Sequence, residues 1–211
     1  MDNYNEKLNI SLIPKIKDIK NLNILEFGVQ NGTSTLKFLE ICENNNGYLY
    51  SVDIEDCKKV SQNKRWKFIK SRDDNFDFIK SQIPDRVDVI FIDTTHEADH
   101  VEKIIYGYYD LLNVNGYLFI DDISHLPYLF GSIRDNFYCE INNKETFDRI
   151  LQIYYSNYNN LSLDFSFDSS GLTIIKKKNE EKLKKKITFN SRENSVKNLI
   201  RRLWIYMKRK L

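Results

Sequence analysis

The sequence predicts an α/β fold: a mostly parallel seven-stranded sheet that ends in an antiparallel hairpin, with helices on both faces. Three observations predict it. From Asn21 onward, short apolar runs alternate with helix-like segments at an interval that suits right-handed β–α–β units. The runs are apolar at nearly every position, as strands covered on both faces must be. After Asp122 the alternation stops, and two further strands meet at Asp168-Ser-Ser-Gly171, a turn suited to a hairpin.

The parallel strands are expected at Asn23–Phe27, Tyr48–Asp53, Trp66–Lys70, Val87–Asp93 and Gly116–Asp121. Helices are expected over Thr33–Glu43, near Lys58, over Asp74–Gln82 and over Ala98–Leu112. The last has the clearest pattern. Val101, Ile104, Ile105, Tyr108 and Leu112 fall on one face, and Asn115-Gly116 closes the helix. Beyond Asp122 come an aromatic-rich segment (Leu126–Tyr138), a helix (Thr146–Tyr155) and the hairpin strands Leu161–Phe167 and Leu172–Lys176. Residues 1–20 read as a helical lead-in, so that residues 1–178 form one domain and 179–211 a separate tail.

With 211 residues, 41% of them hydrophobic, the chain suits one domain with a sizeable core and is too apolar for wholesale disorder. Cys42, Cys57 and Cys139 lack CxxC spacing, which argues against a disulfide framework or zinc cluster and for a reducing cytoplasm. Cys139 has no basic partner in sequence and is assigned no nucleophilic role. The polar, acidic start offers no secretory signal, and no run approaches the roughly 20 apolar residues of a membrane span.

The net charge of +2 conceals an asymmetry. Residues 176–211 hold 14 Lys+Arg against 3 Asp+Glu, a net +11, which leaves −9 on residues 1–175. In the tail, Val196, Leu199, Ile200, Leu203, Trp204 and Met207 share one helical face, with Lys197, Arg201, Arg202 and Lys208 opposite. Such a helix suits docking on its own domain, docking on a second copy in a homodimer, or lying on an anionic membrane surface. Docking on the protein is the expectation. No recognised nucleic-acid-binding module is present, and no nucleic-acid partner is expected.

The first strand runs into Glu26-Phe-Gly28-Val-Gln30-Asn-Gly32-Thr33-Ser34. Glycines between strand and helix let the backbone approach a ligand, and the helix N-terminus offers free N–H groups to an anion. Gly-x-x-x-Gly alone also fits a plain tight turn. Two further features add weight. The second strand ends in Asp53, where a carboxylate accepts both ribose hydroxyls, and the third ends in Ser71-Arg72-Asp73-Asp74, at the edge where an adenine would lie. Gln30 occupies the middle position of the Gly-x-Gly-x-x-Gly of nicotinamide-dinucleotide sites, so that reading is disfavoured.

Together with the terminal hairpin, these features resemble the class I S-adenosylmethionine-dependent methyltransferases of Rossmann-like fold, over roughly Asn21 to Lys176. Glu26, Gly28 and Gly32 match the first motif of that family and Asp53 the second. The resemblance implies S-adenosyl-L-methionine as cofactor. Its site is expected at Glu26, Gly28, Val29, Gln30, Gly32, Thr33, Ser34, Asp53, Ile54, Asp73 and Asp93.

The fourth strand ends in Phe91-Ile-Asp93-Thr-Thr95-His96-Glu97 and the fifth in Phe119-Ile-Asp121-Asp122-Ile-Ser124-His125. Both loops leave the carboxyl ends of parallel strands, the edge where open α/β sheets bind ligands. Three carboxylates gathered there repel one another unless something positive lies among them, and a hard divalent cation, Mg²⁺ or Mn²⁺, is the simplest answer. The loops resemble those of metal-dependent small-molecule O-methyltransferases, notably the group acting on sugars of macrolide-type antibiotics. That likeness implies Asp93, Asp121 and Asp122 as metal ligands and a small-molecule hydroxyl, of the sugar class, as acceptor. The group usually reads Asp-Gly-Asp after the fourth strand, its second Asp proposed as the base. This chain has Thr95 there, and His96 is the substitute base, beside Asp93, in a metal-assisted or metal-independent reaction. Asp93 holding only the cofactor's amino group, with Asp121-Asp122 capping the next segment, is the plainer alternative. A binding module without turnover is the other. His100 is expected on the solvated face of its helix, and His125 near the acceptor.

Overall fold

The computed structural model describes residues 3–125, 137–188 and 195–209, and over 137–140 the backbone alone. Its sheet contains β1 (Asn23–Phe27), β2 (Tyr48–Asp53), β3 (Trp66–Lys70), β4 (Val87–Ile92), β5 (Leu112–Asp121), β6 (Leu161–Ser166) and β7 (Leu172–Lys177). The strand order is β3-β2-β1-β4-β5-β7-β6. The first five are parallel, and β7 runs antiparallel to both neighbours. The chain builds outward from β1 to β3, then returns to lay β4 against the other side of β1. That reversal opens a crevice at the carboxyl ends of β1 and β4.

Helices cover both faces, as expected. On one side lie α1 (Tyr4–Lys7), a π-helical turn (Leu8–Leu12), α2 (Ile13–Ile16) and α3 (Thr33–Asn45). They enclose Leu12, Ile16, Phe38 and, from the sheet, Ile24, Val89, Phe91 and Phe119. On the other side, α4 (Phe76–Lys80), α5 (Ala98–Tyr108) and α6 (Phe137–Asn157) meet Leu25, Ile90, Leu118 and Ile120 through Ile79, Ile104, Tyr108 and Ile150. Adjacent residues such as Ile24 and Leu25 enter opposite cores, the reason the strands read as unbroken apolar runs.

Four local expectations are corrected. No helix forms near Lys58. Instead the Lys58 amide donates to Asp56 Oδ1 at 3.2 Å and the Val60 amide to the Cys57 carbonyl at 2.9 Å, local bonds that compete with a helix. Asn115-Gly116 does not cap α5, which ends in a 3₁₀ turn at Tyr109–Leu111. The pair kinks β5, with Asn115 at φ +69° and the register to β4 shifting between Val87 and Val89.

The basic stretch after residue 178 is not separate from the domain as far as Thr188. Lys186 pairs with Glu102 at 2.7 Å, Tyr106 donates to the Lys184 carbonyl at 3.0 Å, and Leu183 packs against the core. The acidic body attracts this part of the tail. The last helix, α7 (Val196–Lys208), does not dock on its own domain as expected. Val196, Leu203 and Trp204 are 73%, 63% and 55% exposed, and none of its described residues is buried. Both sheet faces are already covered by other helices, so the core is closed without it. Among the described residues, no helix is long and apolar enough to cross a membrane.

Candidate active site

A cleft of about 740 Å³ opens at the carboxyl ends of β1, β2, β4 and β5, a volume suited to a nucleoside-sized cofactor with room beside it. Of the residues expected at the cofactor, Gly28, Val29, Gln30, Thr33, Ser34, Asp53, Ile54, Asp73 and Asp93 line it. Gly28 has φ +93°, and a Cβ there would stand 1.9 Å from the Asp93 carbonyl oxygen, so only glycine lets the β1 and β4 loops approach this closely. Gly32 does not line the cleft. At φ +81° and pressed against Val60, it starts α3 without a side-chain cap, which leaves the first-turn amides for an anionic ligand group.

Glu26 is corrected as a ligand-contacting residue. It is fully buried and absent from the cleft wall. Its carboxyl accepts from Ser34 Oγ (2.6 Å), Thr35 Oγ1 (2.8 Å) and Ser51 Oγ (2.6 Å), tying the start of α3 to β1 and β2. Burial pushes its pKa from 4.5 up to about 7, against the pull of those hydroxyls. The folded state therefore holds this proton more tightly than the unfolded chain, and stability falls as pH rises from 4.5 through about 7. Glu26→Gln is expected to flatten the pH dependence of the urea midpoint across that window. Wild-type and variant curves running parallel there would contradict the assignment.

Asp53, at the end of β2, accepts from the amides of Val29 (2.8 Å), Gln30 (3.1 Å) and Glu55 (2.9 Å). Burial opposes its ionisation, but these donors and the Cys57 thiol prevail and hold its carboxyl below the ordinary range. A charged acceptor thus stands ready for hydroxyl donors at the cleft. Beside it Ile54, 61% exposed, presents an apolar surface to the cleft. Asp73 Oδ2 accepts from Thr94 Oγ1 at 2.7 Å and lies 2.8 Å from His100 Nε2. His100 is therefore a cleft residue and not the solvated one expected, because the first turn of α5 faces the end of β3. His125 lies against the rings of Phe147 and Phe167, away from the cleft wall. The expected acceptor segment, Leu126–Tyr138, falls outside the described residues over 126–136, and Cys139 is described by its backbone alone.

The carboxylates of Asp93, Asp121 and Asp122 do converge. His96 joins them, its Nε2 3.8 Å from Asp93 Oδ1 and 3.5 Å from Asp122 Oδ2, and all four line the cleft. Two residues missed in the sequence complete the cluster. Tyr4 donates to Asp93 Oδ2 at 2.7 Å, and Lys7 donates to Asp121 Oδ1 and to Ser170 Oγ. Burial and the carboxylates of Asp93 and Asp121 drive the Tyr4 phenol far above its usual range, so it remains a donor. Asp121 is 2% exposed. Burial and Asp93 push its pKa up while Lys7 pulls it down. Its Oδ1 also takes the Asp122 amide at 2.8 Å, so this oxygen already accepts from two donors. The three carboxylates do not fit a shared divalent ion. Among the described residues, no group of three or more His, Cys, Asp or Glu is arranged to hold one.

Lys7 had a faint signal in the sequence. It adjoins Leu8 on a stripe continued by Leu12 and Ile16, all buried, where a lysine needs a charged partner.

Residues 25–123, which carry β1 to β5, match a family model described as a methyltransferase domain. A sequence search of curated proteins finds no match. Among solved structures, the methyltransferase PaMTH1 of Podospora anserina, bound to S-adenosylhomocysteine, is similar at TM-score 0.64 and 19% identity, over 79% of this chain and 76% of that one. MycE, a methyltransferase of the mycinamycin biosynthetic pathway solved with Mg and S-adenosylhomocysteine, is similar at TM-score 0.61 and 17% identity, over 82% of this chain. The chain spans 50% of the MycE chain, and MycE has also been solved with mycinamycin VI. At these identities the likeness is one of fold. Residues 25–123 thus resemble a methyltransferase domain, and the fold around them is shared with a methyltransferase solved with S-adenosylhomocysteine.

Proposed function

We propose that this domain transfers the methyl group of S-adenosylmethionine to a hydroxyl oxygen of a small molecule, with His96 as the base. The position of His96 at the cleft, between Asp93 and Asp122, carries the reading. The acceptor oxygen attacks the methyl carbon in line, and the sulfur leaves with the electrons of the broken C–S bond. The hydroxyl proton passes to His96 Nε2. The sulfonium is already a good leaving group, so the protein's task is alignment and removal of that proton. Both carboxylates face that same nitrogen, so they favour the charged imidazolium that results.

The cofactor reading assigns the ribose hydroxyls to Asp53, the ring to Ile54 and Asp73, and the methionyl carboxylate to the start of α3 at Thr33 and Ser34. A wall of Asp122, Thr95, Asn3 and Asn5 suits an acceptor rich in hydroxyls, and the sugar class is favoured on that chemistry. The mycinamycin VI complex of MycE supports a small-molecule acceptor of this kind.

The test is label transfer from methyl-labelled cofactor to a panel of sugars, phenols and amines. Label is expected on a hydroxyl. His96→Ala should lower kcat by about 10²–10⁴-fold, the usual contribution of a positioned base, and leave S-adenosylhomocysteine affinity unchanged. Transfer to amines alone, or an undiminished rate in His96→Ala, would reject the assignment.

A further inference from the structure

Three carboxylates at one strand edge need a positive charge nearby, and the structure places one there that belongs to the chain itself. Lys7, at the end of α1, is 1% exposed. Its ammonium donates to Asp121 and to Ser170 in the β6–β7 turn, and lies 4.9 Å from the centroid of the Tyr4 ring. Three residues earlier, Tyr4 takes up one oxygen of Asp93. A four-residue helical turn thus reaches both carboxylate-bearing loops at once. Leu8, Leu12 and Ile16, all fully buried, anchor it to the sheet, so it is a packed part of the site.

We propose that this N-terminal turn is a built-in cation: Lys7 supplies at Asp121 the charge that a divalent ion would otherwise bring, and keeps such an ion out. The reason is electrostatic and geometric. An ion bound to Asp121 would stand within one carboxylate's width of the Lys7 ammonium, in a low-dielectric pocket where like charges repel strongly. Asp121 would also have to share its charge between the ion and a buried ammonium that depends on it, and a poorly compensated buried charge is costly. This turn also brings Asn3, Tyr4 and Asn5 to the cleft wall, so the charge and part of the acceptor surface arrive together. The proposal rests on the methyltransferase reading of the cleft, but its test is independent of turnover.

The full chain, freed of metal by chelator, is titrated with Mn²⁺ and followed by paramagnetic resonance, with S-adenosylhomocysteine present. The wild type is expected to take up no stoichiometric Mn²⁺ up to millimolar concentration. Lys7→Met, which keeps the length and removes the charge, should gain a site for one ion per chain, and Lys7→Arg should behave as wild type. Stoichiometric Mn²⁺ on the wild type, lost in Asp121→Asn, would overturn the proposal. So would a folded Lys7→Met chain that takes up none. If Lys7→Met does not fold, the wild-type titration decides alone. Calorimetry with S-adenosylhomocysteine on the same samples reports separately on the cofactor reading.

Discussion

Gly28→Ala is expected to destabilise the domain by roughly 3 kcal/mol, through left-handed backbone strain of about 1–2 and overpacking of about 1–3. The backbone at position 28 has φ +93°, which a side chain resists wherever it is placed. The added Cβ would also lie 1.9 Å from the Asp93 carbonyl oxygen and 2.8 Å from its carbonyl carbon. Both are backbone atoms at the end of β4, so no rotamer change relieves the overlap, and the loops after β1 and β4 must part. For a chain of this length, each kcal/mol shifts Tm by about 2–4 °C, giving a loss of roughly 6–12 °C. The same parting would open the floor of the cleft, so cofactor affinity should fall with stability. Thermal unfolding monitored by circular dichroism checks it, and a Tm within a degree of wild type would show that the loops tolerate separation.

Asp53→Ala should weaken S-adenosylhomocysteine binding by about 10- to 150-fold, the factor that corresponds to roughly 1.5–3 kcal/mol for a hydrogen bond to a charged group. Two effects combine. On the proposed cofactor placement the ribose hydroxyls lose their charged acceptor, and the amides of Val29 and Gln30 lose the carboxylate that fixes the loop after β1. Asp53→Asn keeps one oxygen for the loop and should fall between the two. Calorimetric titration decides it, and less than a threefold change in Asp53→Ala would remove Asp53 from the cofactor site.

The sheet was legible because its strands carry the mark of their burial. All seven were placed within a residue or so, except the start of β5, where the kink at Asn115 lets the strand begin at Leu112. The loops that line the cleft were legible because glycine and acid spacing is local in sequence. What lay hidden was long-range. Glu26 reads as a ligand contact until Ser34, Thr35 and Ser51 are seen to close around it. His100 reads as a surface residue until β3 brings Asp73 beside it. The carboxylate cluster at Asp93, Asp121 and Asp122 was anticipated, but its counter-charge was not, because Lys7 lies 114 residues from Asp121. The tail misled in both directions. Its Lys182 and Lys186 pair with Asp110 and Glu102 of the acidic body, while the apolar residues of the amphipathic helix that invites docking stay exposed.

The most direct test of the cofactor assignment is calorimetric titration of the full chain with S-adenosylhomocysteine, alongside NAD as the competing nucleotide. One S-adenosylhomocysteine per chain, with affinity reduced in Asp53→Ala and no heat from NAD, is the predicted result. Saturable NAD binding with none for S-adenosylhomocysteine would contradict it.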